Sequence, residues 1–329
     1  MAVLSLREAE ELVVQTLAHA RTSDANARSV ARALVAAEAD GLKGHGLSRV
    51  PSYAAQAKVG KVDGFAKPQL AWARPGQFAV DAANGFAYPA LDMAIATFPQ
   101  FAKGQGVAAA AIYRSHHCGA AGHPVERLAD AGLVALMFVN TPAAIAPWGG
   151  SKAVMGTNPI AFACPLAGRA PLVIDLSMSK VARGNIVTAK QRGEKIPEGW
   201  ALDEHGQPTT DPDAALHGTM LPSGDAKGTA LALMVELLAA GLTGANFAAD
   251  ASSFLDDKGP PPGTGQLIIA FDPSASGRNV IARFGELAQS IEEQDGARLP
   301  GTRRLVARKK AAAEGLNIAD ALLAEIAAT

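Results

Sequence analysis

A histidine and an arginine lie four positions apart in the glycine-rich segment 40–53, which reads D-G-L-K-G-H-G-L-S-R-V-P-S-Y. Its three glycines disfavour an ordinary helix and favour a loop that a ligand can approach closely. Ser48 is a suitable cap for a new helix that has Pro51 in its first turn. At this junction Arg49 could bind a carboxylate while His45 transfers a proton near neutral pH. The segment alone also fits a helix-capping turn with a surface histidine.

The overall composition narrows the class of partner. The 329 residues are 49% hydrophobic, enough for a large buried core, and the length favours two domains over one. The 30 basic and 31 acidic side chains give a formal charge of −1, so no global field favours nucleic acid or an anionic membrane. Aromatic residues make up 5% of the chain, which argues against a base-stacking surface. Nucleic acid and membrane are therefore not expected as partners.

The cysteine content and the apolar runs indicate the compartment. Cys118 and Cys164 are the two cysteines of the chain. No charged-then-apolar leader opens the sequence, and no unbroken apolar run approaches the ~20 residues of a membrane helix. We expect a cytoplasmic protein without a disulfide framework.

Hydrophobic periodicity predicts a mixed α/β chain. Ser5 and Glu8 fit a capping box at the start of a first helix, and a second helix is expected from about residue 23 to residue 40. Short β-rich runs then alternate with helical stretches. The expected strands are 78–80, 107–113, 133–139, 160–164, 172–176 and 266–271. The expected helices are 91–103, 125–130, 227–242, 280–293 and 312–328, with loops at 198–214 and 259–265.

The usual nucleotide-binding motifs are absent from the sequence. No G-x-G-x-x-G follows a predicted strand, and the run G-D-A-K-G at 224–228 lacks the flanking residues of a P-loop. Residues 115–122, S-H-H-C-G-A-A-G, follow a predicted strand and lead into a helix. Small residues at a helix start let backbone N–H groups face an anion, so this segment is a candidate for binding a nucleotide.

Two other kinds of site fit the sequence less well. His116, His117, His123 and Cys118 are possible zinc ligands, but adjacent histidines point apart, and neither a metal-binding spacing nor a nearby carboxylate supports them. A nucleophilic serine or cysteine is less favoured still, because G-x-S-x-G is missing and Cys164 ends an apolar strand before a proline. We predict no metal site.

Several separate segments together resemble the malate/L-lactate dehydrogenase family, whose nucleotide-binding fold is not of the Rossmann type. Four of them are residues 40–53, residues 115–122, G-T-N-P-I-A-F-A-C-P at 156–165 and D-L-S-M-S-K-V-A-R-G-N at 175–185. The resemblance continues through G-D-A-K-G-T-A-L-A-L-M-V-E-L-L at 224–238 and R-L-P-G at 298–301, so it spans nearly the whole chain. These motifs are specific jointly and weak singly.

The resemblance implies roles for individual residues. His45 resembles the family's proton donor and Arg49 the group that binds the substrate carboxylate, and further substrate contacts are implied for Thr157, Met178 and Ser179. Some implied cofactor contacts have structural alternatives: a turn cap for the aspartate, a solvated helix-start lysine, and an ordinary charged face for the two arginines. The implied contacts to the nicotinamide cofactor are His117, Cys118, Gly119, Ala120, Ala121, Gly122, Asp175, Leu176, Ser177, Lys227, Pro300, Gly301, Arg303 and Arg304.

Two positions depart from the pattern of the imine-reducing members of the family. Those members carry a serine before the catalytic histidine and an aspartate beyond the A-R-G run, and the pair orients the imidazole. This chain has Gly44 and Asn185 at those positions. Neither residue can stabilise an imidazolium by charge, so His45 must be tuned by other groups or by water. Lower basicity of His45, a different substrate, and a binding protein without catalysis are the three interpretations.

The activity implied by the resemblance is that of an oxidoreductase using NADPH, with NADH as the alternative. The expected substrates are cyclic imino acids: Δ1-piperideine-2-carboxylate would give pipecolate and Δ1-pyrroline-2-carboxylate would give proline. The alternative is an NAD-dependent 2-hydroxyacid dehydrogenase acting on malate, lactate or ureidoglycolate. A cyclic imine is partly protonated near neutral pH and asks less of its acid than a ketone does, which fits a weakened relay.

The implied architecture is α/β (α+β) with two domains. Residues 1–76 and 276–329 would form a helical substrate and dimerisation domain. Residues 77–275 would form a non-Rossmann nucleotide-binding domain with a mostly antiparallel sheet. A homodimer with its sites near the subunit interface is expected.

Overall fold

The computed structural model describes residues 1–277 and 279–329. The α-helices are Leu6–His19 (α1), Asp24–Ala39 (α2), Val50–Val59 (α3), Ala87–Gln105 (α4), Gly122–Asp130 (α5), Arg183–Arg192 (α6), Pro212–His217 (α7), Asp225–Glu236 (α8), Val280–Glu292 (α9), Thr302–Glu314 (α10) and Asp320–Ala327 (α11). The strands are Ala2–Leu4 (β1), Gln69–Arg74 (β2), Gln77–Asp81 (β3), Val107–Ser115 (β4), Val134–Val139 (β5), Ile160–Leu166 (β6), Arg169–Leu176 (β7), Ala201–Leu202 (β8), Pro208–Thr209 (β9), Thr219–Met220 (β10), Thr264–Phe271 (β11) and Leu316–Ile318 (β12).

The main sheet has the strand order β2-β3-β4-β11-β5-β6-β7. β3 and β4 run parallel, and the other neighbouring pairs run antiparallel. The middle strand β11 places Ile268 opposite Ala110 of β4 and Met137 of β5, and all three side chains are fully buried. A continuous apolar run is what a strand buried on both faces requires. The α/β class and the mostly antiparallel sheet predicted from the sequence are confirmed.

Helices α4 and α5 pack on this sheet. Phe98 of α4 meets Phe78 of β3 edge to face, with ring centroids 5.0 Å apart. At the start of α5, a Cβ on Gly122 would lie 3.2 Å from Val173 and 3.3 Å from Asp175 of β7. The glycine therefore lets α5 begin directly against the end of β7, which brings two of the predicted cofactor segments together.

A second apolar core is built from both ends of the chain. α1 begins at the predicted capping box, in which Ser5 Oγ accepts the Glu8 N–H and the Glu8 carboxylate accepts the Ser5 N–H. Leu17 of α1 and Leu34 of α2 share this core with Ile326 of α11. The predicted two-domain division remains a prediction; β2 belongs to the main sheet, and α9 packs against β6.

A third, smaller unit holds the segment that follows β7. β8, β9 and β10 form a small antiparallel sheet. The apolar cluster beside it includes Met178, Ile186 of α6 and Met220 of β10. The predicted substrate contact Met178 is thus a buried anchor for this segment.

Two predicted elements differ from the structure. The single helix expected at 312–328 is wrong: it is divided by β12, which pairs antiparallel with β1. Gly315 turns the chain at φ +80°, where a Cβ would lie 2.8 Å from the Leu4 carbonyl. The loop expected at 198–214 contains β8, β9 and the first turn of α7. Local periodicity cannot indicate such pairings, because the partner strands lie elsewhere in the chain.

The helix expected at 227–242 begins two residues earlier and ends differently. α8 starts at Asp225, and its continuation Leu237–Gly241 is a π-helical turn. No helix in residues 1–277 or 279–329 is long and apolar enough to cross a bilayer.

Candidate active site

The loop between α2 and α3 consists of two short 3₁₀ turns, Lys43–His45 and Leu47–Arg49. Gly46 joins them where a Cβ would overlap Oε2 of Glu38, so the position requires glycine. That oxygen accepts the Leu47 N–H at 3.0 Å, and burial raises the pKa of Glu38. The loop is therefore anchored to the end of α2.

The predicted cap of the following helix is wrong in detail. α3 begins at Val50, whereas Ser48 lies in the second 3₁₀ turn and donates its hydroxyl to the Lys43 carbonyl at 2.6 Å. Pro51 does lie in the first turn of α3, where its missing N–H costs no hydrogen bond. Ser48 thus closes the loop and does not start the helix.

His45 and Arg49 lie together in this loop. Nδ1 of His45 is buried and has no hydrogen-bond partner among the described residues. Arg49 folds back toward it, since its Nε donates to the Gly44 carbonyl at 2.7 Å. Burial, and then the charges of Arg49 and His123, lower the pKa of His45 to about 4. His45 is therefore neutral at physiological pH in the free protein.

His45 stacks on His117, the first of the predicted cofactor contacts. Their ring centroids are 5.3 Å apart and their planes differ by 13°. Nδ1 of His117 lies 2.5 Å from the hydroxyl oxygen of Tyr53, which lies 3.1 Å from that of Tyr88. Burial lowers the pKa of His117 well below its usual value, so this ring is neutral too. The loop and the end of β4 thus meet at two stacked imidazoles.

The neighbouring His116 makes different contacts. Its Nε2 lies 2.6 Å from Oε1 of Gln56, and its ring packs on Phe254. Gln56 also donates to the Phe254 carbonyl at 2.9 Å, which fixes that loop over both histidines. No group of three or more possible His, Cys, Asp or Glu metal ligands occurs within the part of the chain that the structure describes.

Asp175, at the end of β7, reaches the start of α5. Its Oδ2 accepts the Gly122 N–H at 2.8 Å, and desolvation by the surrounding protein raises the pKa of its carboxyl group although the residue lies at the surface. The Asp175 carboxylate thus already accepts one N–H of this helix start. That residues 115–122 bind the cofactor stays a prediction. Burial, followed by the charge of Asp175, raises the pKa of Cys118 to about 12, so that thiol is unreactive.

The predicted substrate contacts Thr157, Met178 and Ser179 form a second group just beyond β7. The Met178 N–H donates to the Thr157 carbonyl at 2.8 Å. Oγ of Ser177 lies 2.7 Å from Oγ of Ser179. Asp175, which accepts from the start of α5, lies three residues before Met178. The end of β7 therefore connects this group of substrate contacts to α5.

The more distant cofactor candidates also lie near β7. Ser223, just before α8, donates its N–H to the Met178 carbonyl at 2.8 Å, and Lys227 is exposed in the first turn of α8. A Cβ on Gly301 would lie 3.2 Å from the Val173 carbonyl, so the loop that begins α10 rests on β7. Leu176 and Pro300 are exposed.

Arg304 lies in a buried ion network, which differs from its predicted contact with the cofactor. Its Nη1 lies 2.6 Å from Glu126 and 3.1 Å from Asp40. Arg308, on the next turn of α10, pairs with the same two carboxylates. Burial alone would raise the pKa of Asp40, but hydrogen bonds from His123 and Arg308 lower it to about 2. Arg304 is thus a structural residue here, whereas Arg303 beside it is exposed.

The two positions that depart from the imine-reducing pattern are both open. Asn185 is exposed in α6, and no hydrogen bond joins its side chain to His45 within residues 1–277 and 279–329. A Cβ on Gly44 would have no atom within 4 Å, so a larger residue would fit there. The glycine leaves Nδ1 of His45 without the neighbour that a side chain could supply.

Sequence reasoning missed the residues that support the site. Tyr53 ends the quoted glycine-rich motif, and its position one helical turn beyond Arg49 could have indicated a side chain facing the same loop. Glu236, buried on α8, accepts from Nδ2 of Asn158 at 2.7 Å and so fixes the residue that follows Thr157. The sequence offers no signal for that contact, because the two residues are far apart in the chain.

A cavity of about 530 Å³ lies between α2, α4 and α5. Cys118, Ala120 and His123 line it on one side and Tyr88 on another, whereas His45 and Arg49 do not. Its volume falls within the range of small-molecule sites. It borders the candidate site at Tyr88, whose hydroxyl oxygen lies 3.1 Å from that of Tyr53.

Comparison with known proteins identifies a family and relatives of this chain. The family model described as malate/L-lactate dehydrogenase matches residues 4–327. A (2R)-3-sulfolactate dehydrogenase (NADP(+)) from Chromohalobacter salexigens is 51% identical over 328 residues, covering 99% of this chain and 97% of that protein. A Δ1-pyrroline-2-carboxylate/Δ1-piperideine-2-carboxylate reductase from Pseudomonas aeruginosa is 42% identical, covering 99% and 98%.

The solved structures agree with this result. The Δ1-piperideine-2-carboxylate reductase from Pseudomonas syringae pv. tomato superposes with a TM-score of 0.93 at 38% identity and covers 99% of each chain. These matches extend over both chain ends and the main sheet, and they confirm the resemblance carried by the sequence motifs. The chain therefore belongs to the malate/L-lactate dehydrogenase family and is an oxidoreductase.

Proposed function

We propose that this chain is an NADP-dependent dehydrogenase of a small 2-hydroxy acid, with His45 as the acid–base group and Arg49 as the carboxylate-binding group. The observation that carries the proposal is the position of Arg49 beside a half-buried His45 stacked on His117. The 51% identical relative, named as a (2R)-3-sulfolactate dehydrogenase (NADP(+)), supports both the substrate class and the cofactor. The sequence alone favoured reduction of a cyclic imino acid over oxidation of a 2-hydroxy acid. We reverse that order, because the sulfolactate dehydrogenase is 51% identical to this chain and the imine reductase from Pseudomonas aeruginosa is 42% identical.

Arg49 has its planar end available for the substrate. Its Nε is bonded to the Gly44 carbonyl, whereas its terminal nitrogens make no hydrogen bond to the residues that the structure describes. Two parallel N–H groups match the two oxygens of a carboxylate. A carboxylate held in this way would place the adjacent hydroxyl-bearing carbon beside His45, and such positioning is a large part of catalysis.

His45 would then transfer the proton. In oxidation the neutral imidazole accepts the hydroxyl proton as the hydride leaves carbon, and in reduction the imidazolium returns a proton to the oxygen. The bound nicotinamide supplies the hydride acceptor or donor. A carboxylate on Arg49 offsets one of the charges that lower the pKa of His45, so substrate binding raises that pKa. The substrate thereby increases the basicity of the group that deprotonates it.

The residues around the end of β7 fit the nicotinamide end of the cofactor. Oδ1 of Asp175 makes no hydrogen bond within the described part of the chain, so it can accept one from an amide or a ribose hydroxyl. His117 and the small residues 119–122 would form the rest of the surface that contacts the nicotinamide. Among the sequence candidates, Lys227 and Arg303 are the exposed cations that we assign to the phosphates, with Arg303 in place of Arg304 at a 2′-phosphate.

Reduction of a cyclic 2-imino acid is the second candidate. The pKa of His45, about 4, favours it, because a protonated imine accepts a hydride without taking a proton from the protein. The 42% identical reductase and the structure with a TM-score of 0.93 also support it. In this reaction Arg49 would again bind the substrate carboxylate. His45 would mainly exclude water and orient the ring of the imino acid.

A substrate panel tests the proposal. 3-Sulfolactate, malate and lactate are offered with NADP⁺ and NAD⁺, and the matching 2-oxo acids and two cyclic imino acids with NADPH and NADH, while the near-ultraviolet absorbance of the reduced cofactor is followed. We expect a hydroxy acid to be oxidised with NADP⁺. Turnover of imines with inert hydroxy acids would promote the second candidate, and a panel without turnover would contradict both.

The role of His45 is tested with two variants. His45→Ala should lower kcat by about 10²–10⁴-fold while the cofactor still binds, because only the proton transfer is removed. His205→Ala, which changes an exposed histidine of the loop between β8 and β9, is the matched control and should keep its activity. Equal activity of the two variants would rule out His45 as the acid–base group.

We also propose that the protein is a homodimer. Leu233 and Met234 in the last turn of α8 and Leu237 at the start of its π-helical continuation are 49%, 39% and 54% exposed. Contiguous exposed apolar side chains of this kind are typical of a subunit interface. The cytoplasmic location stays a prediction.

A further inference from the structure

Three buried rings from separate parts of the chain form one hydrogen-bonded line beside His45. The hydroxyl oxygens of Tyr88 and Tyr53 are 3.1 Å apart, and that of Tyr53 lies 2.5 Å from Nδ1 of His117. All three side chains are buried. In such surroundings each hydrogen-bond donor needs an acceptor inside the protein.

The number of protons determines the direction of this line. Burial raises the pKa of both tyrosines and lowers that of His117, so all three rings are neutral. The Tyr88 hydroxyl has Tyr53 as its partner and no other within the described residues. The Tyr88 proton therefore points to the Tyr53 oxygen, and the Tyr53 proton points to Nδ1 of His117. The reverse direction would turn the Tyr88 proton away from Tyr53, where no described residue accepts it.

This direction places the ring proton of His117 on Nε2. Nδ1 of His117 then acts as an acceptor, and the opposite edge of the ring is a donor. A hydrogen bond from Tyr53 to Nδ1 also disfavours protonation of that nitrogen. His117 is thus kept in one tautomer and without charge.

The orientation of His45 depends on this neighbour. Nδ1 of His45 has no partner in the described part of the chain, and Gly44 adds no side chain beside it. The ring is instead held by its stack on His117, with the planes 13° apart. A charged His117 would repel the charged form of His45 that proton transfer creates.

We propose that Tyr53 is a positioning residue for the proton transfer: by donating to Nδ1 of His117 it keeps that ring neutral, with its proton on Nε2 and its plane parallel to His45. The role rests on the proposed function of His45 as the acid–base group. Tyr53 acts through His117. The stack on His117 then orients the His45 ring, whose Nδ1 lacks a hydrogen bond.

Tyr53→Phe tests this role, because it removes one hydroxyl and keeps a ring that packs on Phe86. We expect kcat to fall about tenfold or more with KM changed by less than about threefold, since the variant misaligns His45 and leaves carboxylate binding at Arg49 intact. Tyr88→Phe is the matched control: it removes the hydroxyl at the far end of the line and leaves the donor to His117 in place. Its kcat should stay within about threefold of wild type.

Nitrogen-15 NMR of the histidine side chains gives a readout that needs no turnover. The wild-type spectrum should show His117 as the Nε2–H tautomer, and Tyr53→Phe should shift that population while Tyr88→Phe does not. A wild-type His117 with its proton on Nδ1, or a folded Tyr53→Phe protein with unchanged kcat, would overturn the proposal. If the wild type turns over no acid of the panel, the proposed function fails, and the tautomer measurement alone decides whether Tyr53 directs His117.

Discussion

A glycine at position 44 leaves the catalytic candidate His45 with one nitrogen unpartnered. Its Nδ1 is buried without a hydrogen bond, and a Cβ on Gly44 would have open space around it. Burial, followed by the electrostatic effects of Arg49 and His123, lowers the pKa of His45 to about 4. His45 is thus neutral and can accept a proton, which suits oxidation of a hydroxyl. Reduction of an already protonated imine also fits, because it needs no proton from His45.

A serine at position 44 should change the basicity of His45. A hydroxyl beside Nδ1 can accept its proton and so stabilises the imidazolium, which raises the pKa of His45. Oxidation needs neutral His45, so kcat/KM falls as the pH drops through that pKa. The acidic limb of the kcat/KM profile should therefore move to higher pH in Gly44→Ser, measured from about pH 3 to about pH 8.

Gly104→Ser is the control for this measurement, because that position near the end of α4 is equally open. Its pH profile should match the wild type. An acidic limb that stays in place in Gly44→Ser would show that the hydroxyl does not reach His45 or that another group limits the rate.

Helix α10 connects the end of the chain to the start of the glycine-rich loop. Arg304 and Arg308 bind Asp40, the residue that ends α2, and Glu126 of α5. His123 lies 2.9 Å from the same Asp40 carboxylate. Three helices and the glycine-rich loop therefore share one ion network, which fixes the loop relative to α5 and α10.

Removing Arg304 should destabilise the fold. Its side chain is 11% exposed, so Arg304→Ala leaves Glu126 short of a buried partner, and Arg308 compensates only in part. We expect a loss of about 2–3 kcal/mol in the free energy of unfolding, measured by urea denaturation without cofactor. The exposed neighbour gives the control: Arg303→Ala should change stability by less than about 0.5 kcal/mol. A larger loss of stability in Arg303→Ala than in Arg304→Ala would contradict the structural role of Arg304 and leave that residue as a candidate for cofactor binding.

The exposed apolar side chains of α8 bear on the whole molecule. Leu237 is 54% exposed at the junction of α8 and its π-helical turn. If this surface joins two copies, Leu237→Glu buries a charge in the interface and should convert the dimer to a monomer in light scattering. Val306→Glu changes a similarly exposed side chain on α10 and should leave the mass unchanged. A wild-type protein that is already monomeric would contradict the homodimer.

The end of β7 positions one of the two predicted substrate groups, because Asp175 accepts from the start of α5 and Met178 just beyond the strand donates to the Thr157 carbonyl. The strand registers that place β7 depend on side-chain packing between β6, β7 and α5. Local sequence could predict that β7 is a strand, from its apolar residues at 172–176, but could not predict which elements it meets. Family resemblance supplied those neighbours, because it carries information about the folded chain.

The sequence by itself determined the features that depend on near neighbours. The capping box of Ser5 and Glu8, the loop nature of residues 41–46, and the proximity of His45 and Arg49 all follow from residues within about one or two helical turns. Such contacts are predictable because the backbone alone brings the groups together.

Only the tertiary structure decided which distant groups complete the site. It stacked His117 on His45, joined Tyr53 to His117, set Asp175 at the start of α5, and bound Arg304 between Asp40 and Glu126. It also split the C-terminal helix by pairing β12 with β1. The physical reason is that burial and long-range packing set these partners and the charge states of the groups, and neither is encoded in local periodicity.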